Sequence, residues 1–326
     1  FRIGVLVIIL NFFASVATTW GQVENPSLLQ MAVPSLNIAP DARGGGMGDM
    51  GAATLPDINS QYWNAAKYAF MGSKAGVSLS YTPWLRKLVN DVALVNMTGY
   101  YKLGNSDLQA ISASLRYFSL GEVNIWENIG DVPYGLNPYE MAFDVAYSRK
   151  LSESYSMAVT LRYIRSDMGT DQNEESNAGN AFAADISGYL EKYVLMGNAE
   201  ALWSFGFNLS NIGSKISYDG GNRNQYLPAK LTLGTGLLYP IDDYNQIGVY
   251  LDLNKYMVPY APQKKDGETD ADFQAREDDY KSWSSISGML KSFTDSPNGL
   301  LKEIMVSVGA EYSYNCLLYT SPSPRD

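Results

Sequence analysis

From Gly76 onward the chain offers ten segments in which apolar and polar residues alternate, and the gaps between them alternate short and long. Ile111, Ala113, Leu115 and Tyr117 fall on one face of a strand, with Ser112, Ser114 and Arg116 on the other. Met157, Val159, Leu161 and Tyr163 oppose Ala158, Thr160 and Arg162 in the same way, and Val306, Val308, Ala310 and Tyr312 oppose Ser307, Gly309 and Glu311. A soluble sandwich shares this alternation. Three features favour a transmembrane antiparallel β-barrel instead. Arg116, Arg162, Asp252 and Glu311 sit mid-strand on the polar face, as in a wet lumen. Segments end in aromatics such as Tyr81, Tyr100, Tyr117, Tyr147 and Tyr239, which suits interfacial girdles. Short gaps alternating with long ones match periplasmic turns and extracellular loops.

The strands are expected at 75–82, 91–102, 108–118, 139–150, 155–166, 180–191, 199–210, 229–239, 245–254 and 301–314. These lengths suit tilted strands, which need about 9–11 residues to cross a bilayer. Short gaps at 103–107, 151–154, 192–198 and 240–244 carry turn formers such as Gly104 and Gly197-Asn198. Long gaps fall at 119–138, 167–179, 211–228 and 255–300. The last holds an acidic stretch from Asp266 to Asp279. A helix-like run follows, with Trp283, Ile286, Leu290 and Phe293 on one face. That face either packs on its own loop and barrel rim or docks a partner.

Residues 1–21 read as a secretory signal: Arg2, an apolar run from Ile3 to Val16, then small residues. Residues 22–74 are rich in Gly, Pro, Ala and Asn and do not read as strands. They are expected to form a plug in the barrel mouth or a periplasmic cap. The barrel then covers 75–315. Residues 316–326 break the last strand in mid-pattern and resemble translated sequencing adaptor, so the natural strands are expected to continue beyond the cut.

Composition narrows function. The formal net charge of -10 argues against nucleic acid, which needs clustered Lys and Arg. The chain has no histidine, and its one cysteine, Cys316, lies in the adaptor-like tail. Imidazole catalysis, thiolate chemistry and His or Cys metal sites drop out. Gly46-Met47-Gly48-Asp49-Met50-Gly51 matches G-x-G-x-x-G but lacks a preceding strand. Gly46 and Gly48 are expected to let backbone pack closely inside the barrel. Asp266–Asp272 lacks the order of a calcium loop, and no G-x-S-x-G elbow is present. No catalytic residue, cofactor or metal is expected.

Several stretches together carry a resemblance. They are Val33–Asp49 (VPSLNIAPDARGGGMGD), Tyr62–Lys67 (YWNAAK), Ser80–Leu85 (SYTPWL), Ser114–Glu122 (SLRYFSLGE), Phe207–Ile216 (FNLSNIGSKI), Asp295–Gly299 (DSPNG) and Ser307–Tyr312 (SVGAEY). In this order they resemble the PorV/LptO family of type IX secretion in Bacteroidota-like bacteria. The resemblance implies a fold like the FadL fatty-acid transporters, a barrel of about fourteen strands when complete with an N-terminal hatch. The hatch signature Asn-Pro-Ala of that fold reads Asn64-Ala65-Ala66 here, without the proline. The family implies an outer-membrane location and a non-enzymatic role. Its members are thought to bind secreted cargo through a C-terminal β-domain and to pass it from the translocon to the attachment complex. Lipid and lipopolysaccharide would surround the barrel. A FadL-like channel for hydrophobic small molecules is the alternative, and it requires an apolar pocket between hatch and wall. An enzyme acting on lipopolysaccharide is a third reading, which the missing histidine disfavours.

Overall fold

The computed structural model describes residues 29–84, 86–87, 91–104, 107–125, 134–169, 178–197, 199–218, 224–265, 267–294, 296, 299–314 and 317–320. The signal-like residues 1–21 lie outside them, as does most of the adaptor-like tail.

The strands, in chain order, are β1 (Ala75–Pro83), β2 (Val92–Leu103), β3 (Gln109–Leu120), β4 (Val123–Ile125), β5 (Tyr134–Leu136), β6 (Tyr139–Lys150), β7 (Tyr155–Asp167), β8 (Gly179–Met196), β9 (Ala199–Gly213), β10 (Ile216–Ser217), β11 (Asn224–Gln225), β12 (Lys230–Pro240), β13 (Asn245–Tyr256), β14 (Met305–Tyr314) and β15 (Leu317–Thr320). Eleven of them form one sheet in the order β1-β2-β3-β6-β7-β8-β9-β12-β13-β14-β15. Its neighbours pair antiparallel throughout, for example Asn96 opposite Arg116 and Asp144 opposite Arg162. β1 and β15 are its two edges. The pairs β4–β5 and β10–β11 are small hairpins inside the long gaps at 119–138 and 211–228. β15 joins β14 through the backbone ladder, which any extended segment can do at an open edge.

All ten expected segments are strands. Two boundaries differ by more than three residues. β8 runs on to Met196, through residues expected as turn, because Gly197 adopts a φ of 67° and closes a tight two-residue turn. Residues 301–304 do not begin β14. Leu300–Glu303 forms a 3-10 turn, and Ser296 donates to Glu303.

Burial is the reverse of a soluble sheet. The apolar face of each strand is exposed, from Val77 and Leu79 in β1 through Leu161 in β7 to Val306 and Val308 in β14. The polar face is covered: Ser112, Arg116, Asp144, Thr160, Arg162, Asp185, Asp252 and Glu311 are all buried. An exposed apolar band around a buried polar face is what a bilayer requires of a barrel wall and what water forbids.

What covers the polar face is the segment before β1. It holds a 3-10 turn at Pro34–Asn37, helix α1 (Ala42–Gly46), helix α2 (Ser60–Trp63) and a 3-10 turn at Ala65–Phe70. It enters at the long-loop end, where the Ala32 N–H donates to the Tyr226 carbonyl at 2.9 Å. It leaves at the short-turn end, where Lys102 donates to the Met71 carbonyl at 2.7 Å. The lumen is therefore filled by a hatch rather than wet. Residues 29–74 traverse the lumen, and no cap lies outside it among the described residues.

Candidate functional site

Two places could carry function: the hatch–wall interface and the largest outer loop.

The hatch is pinned to strands all around the sheet. Ser80 of β1 donates to the Pro40 carbonyl, and Arg116 of β3 donates to those of Ser35 and Ile38. Glu140 of β6 accepts from the Ser35 N–H at 3.0 Å, and Ser156 of β7 donates to the Ala66 carbonyl at 2.7 Å. Asn208 of β9 donates to the Trp63 carbonyl at 2.9 Å. Asp252 of β13 accepts from both the Gly51 and Ala52 N–H groups, at 2.9 and 3.0 Å.

Arg43 makes the longest-range ion pair of the hatch. Its guanidinium forks onto Glu311 of β14 at 2.9 to 3.1 Å and onto Asp57 at 2.6 Å. Tyr250 donates to the same Glu311 at 2.7 Å. Glu311→Ala is expected to destabilise hatch docking by about 2–3 kcal/mol, because it leaves a largely buried guanidinium with one carboxylate partner, Asp57. Amide hydrogen exchange over residues 42–58 should rise while the strand amides hold.

The hatch residues singled out by sequence have distinct roles. Asn64 is fully buried. Its side chain donates to the Ala52 and Gly188 carbonyls, both at 2.9 Å, and accepts from the Ala66 N–H. It ties hatch to β8 and caps the following turn. Gly46 ends α1, and Gly48 takes a φ of 89° to redirect the chain. Close packing is seen at neighbouring glycines. A Cβ at Gly44 or Gly51 would lie 2.4 Å from the Trp63 indole, so the two glycines clasp that ring. Trp63 in turn donates to Asp41 at 2.8 Å. Lys67 is buried without a carboxylate partner among its hydrogen bonds. It donates to the Gly51 carbonyl and the Thr54 hydroxyl. Apart from the local cap of Asn64 on Ala66, these partners lie twelve or more residues apart in the chain, where spacing gives no signal.

Two spaces described between hatch and wall are small, and their lining mixes charged side chains with Leu36 and Tyr62. One of about 20 Å³ is lined by Asp49, Arg162, Lys230 and Asp252 among others, and one of about 10 Å³ by Asn96, Arg116 and Asp144. An apolar hollow of about 650 Å³ lies instead on the membrane face, over Gly99, Ala113, Met97, Leu115 and Phe143.

The outer loop between β13 and β14 carries helix α3 (Asp270–Ser282) and helix α4 (Ser285–Lys291). Thr269 caps α3 by accepting from the Asp272 N–H, and Asp270 and Asp272 in its first turn complement the helix dipole. Glu277 pairs with Lys281 at 2.7 Å one turn on, and Glu268 grips Arg276 at 2.6 Å. Nothing in α3 is buried, so its apolar pattern offers no helix signal. The run expected as one helix from Trp283 to Phe293 is shorter. Trp283 ends α3 in extended backbone, and α4 starts under its own cap, Ser284.

The four residues of that run part ways. Trp283 is half-buried, edge-on to Tyr280 at 5.6 Å with the Lys291 ammonium 3.5 Å above its ring. Tyr280 meets Tyr226, over which Lys215 sits at 4.4 Å, so a column of rings and cations fastens the loop to the rim. Burial pushes the Tyr226 and Tyr280 hydroxyls up to about 12, which keeps them neutral. Phe293 lies beneath Lys255 at 5.3 Å. The inward face of α4 is Gly288 and Met289, the latter packed with Ala229 and Met257. Ile286 and Leu290 point away, 64% and 67% exposed.

Comparison with known proteins now has a structure to stand beside. The family model "Type IX secretion system protein PorV" matches residues 22–264. No curated protein matches this chain. Among solved structures, OmpT (in-vitro folded), an outer membrane protein of Vibrio cholerae, aligns at 10% identity with a TM-score of 0.32. That alignment covers 57% of this chain and 51% of OmpT, so the chain spans about half the length of that structure. The family match takes in the hatch and every strand of the sheet through β13. With its polar wall wrapped around a hatch and its apolar face turned to lipid, the chain belongs to the PorV family of type IX secretion system proteins.

Proposed function

We propose that this outer-membrane component of type IX secretion is a binding protein rather than an enzyme. It takes secreted cargo by the cargo's C-terminal β-domain and hands it from the translocon to the attachment complex. The observation that carries this reading is the exposed apolar pair Ile286 and Leu290. It stands on a capped helix, and the inner face of that helix is fixed to the barrel rim. Large apolar side chains held outward on a fastened loop suit docking of another polypeptide. The filled lumen supports the same reading, since it directs function to the outer surface. So do the buried carboxylates, which are engaged with hatch or strand rather than gathered in a cleft. A hydrophobic-substrate channel needs a roomy apolar pocket behind the hatch, and the two described hatch–wall spaces, of about 20 and 10 Å³, are too small for one.

The double variant Ile286→Ser and Leu290→Ser is expected to cut cargo attachment at the cell surface at least about tenfold, the effect of losing a docking anchor. Barrel assembly, read by heat-modifiable gel mobility, should not change. Normal attachment with both residues replaced would defeat the docking role of this loop.

A further inference from the structure

Between its two edge strands, β1 and β15, the wall is laddered on both sides over most of its length, but β8 outruns its neighbour β7 in the hairpin of β8 and β9. β7 accompanies β8 only as far as Tyr155 opposite Leu190. The last bond on that side runs from the Glu191 N–H to the Ser154 carbonyl at 2.9 Å. β8 continues to Met196, paired on its other side from Lys192 opposite Trp203 to Met196 opposite Ala199. At roughly 3.3 Å per residue, Lys192–Met196 stands about 16 Å beyond the end of β7.

Backbone groups of a strand face alternate edges. Because the Glu191 N–H faces β7, the N–H and C=O of Tyr193 and Leu195 face the same, empty side. No described residue meets them there. Their side chains share the inward parity of Ser187 and Tyr189, which the hatch covers. Past the hatch they lie bare: Tyr193 is 68% and Leu195 75% exposed. An open backbone edge flanked by bare apolar side chains is a template for strand addition.

The chain's own N-terminal segment enters at the opposite end, where Ala32 is bonded to Tyr226. A second copy does not fit either. Two barrels in one membrane point the same way, so their overhangs run parallel about a two-fold axis. That symmetry sets identical donors level with each other, whereas a parallel ladder needs them staggered by one residue.

We propose that the β8 overhang is a strand-addition site for an extended segment of a different, periplasmic polypeptide. That segment carries apolar residues at alternate positions, which pack on Tyr193 and Leu195. The test compares the full-length protein in its native outer membranes with the same protein purified in detergent. In membranes the Tyr193 and Leu195 amides are expected to exchange hydrogen at least about tenfold more slowly, while the Lys192 and Val194 amides, bonded to β9, are unchanged. A photoreactive amino acid in place of Tyr193 should crosslink one periplasmic polypeptide in membranes. Leu195→Pro should abolish that adduct, since it removes a donor on the free edge and none toward β9. Leu195→Val should retain it. Equal exchange in both preparations overturns the proposal, and that comparison needs no variant to fold. An adduct between two copies of this chain, or one indifferent to the proline, overturns it as well.

Discussion

Replacing Arg162 with methionine is expected to destabilise the folded protein by about 3–5 kcal/mol, the cost of stranding buried charge. The guanidinium joins three neighbouring strands. It contacts Asp144 of β6 at 2.7 and 2.9 Å and Asp185 of β8 at 2.9 and 3.2 Å, and it donates to Asn211 of β9. Both carboxylates are nearly closed to solvent, with side chains 9% and 4% exposed. Without the arginine, two buried anions face each other behind the hatch. Urea unfolding of the full-length protein in detergent would read the loss as a lower midpoint. The companion variant with Arg162→Met, Asp144→Asn and Asp185→Asn should recover most of it, because the stranded charges go with the cation. A loss under about 1 kcal/mol in the single variant would show that water reaches the cluster and that the lumen is not sealed.

Gly206→Val is expected to expel the hatch. Gly206 of β9 faces Gly234 of β12, and the hatch residues Ala52 and Ala53 lie against this pair. A Cβ at 206 would stand 1.9 Å from the Ala52 carbonyl oxygen, a backbone atom that cannot swing aside. Displacing Ala52 also breaks the Asn64 bond to its carbonyl and the Asp252 bond to its N–H. Together these should exceed about 3 kcal/mol. The readout is conductance in a planar bilayer. The native protein should be silent and the variant should pass ions, with new protease cleavage between residues 40 and 60. Gly99→Ala is the control. It lies on the membrane face, where an added Cβ meets its nearest neighbour at 3.6 Å, and it should stay silent. A silent, stable Gly206→Val barrel would mean that the hatch does not sit against this wall.

These experiments also bear on how the protein divides its work. Polar contacts hold the hatch to strands along the sheet, which accords with the proposed binding role. The loops on one end and the hairpin overhang on the other remain free for other chains. The apolar hollow over Gly99 and Ala113 lies on the membrane face of the sheet, outside the hatch.

Much of the fold was legible in the chain because a strand's side chains alternate with a period of two, whatever surrounds it. Ile111 against Ser112, or Leu161 against Arg162, is local information, and so are Gly197-Asn198 and the long gap that holds α3 and α4. The resemblance of Val33–Asp49 and the later stretches added the family. Alternation alone did not say what covers the polar face. Arg116 and Asp252 read as lining a wet lumen, and only the path of residues 29–74 shows that carbonyls and N–H groups of the hatch meet them. The pairings of Arg43 with Glu311, 268 residues apart, and of Asn64 with Gly188, 124 apart, leave no trace in spacing. The tertiary structure also decided where the strands stop. β8 outruns β7 because Gly197 turns the chain late while Leu151–Ser154 turn it early, and a free edge exists only in the difference between two neighbours. Sequence thus determined what each strand shows to its two sides, since that depends on residues next to one another. Which partner each side meets was decided by the packing of the curved sheet on its own N-terminal segment, where burial makes an unpaired charge costly to leave unmet.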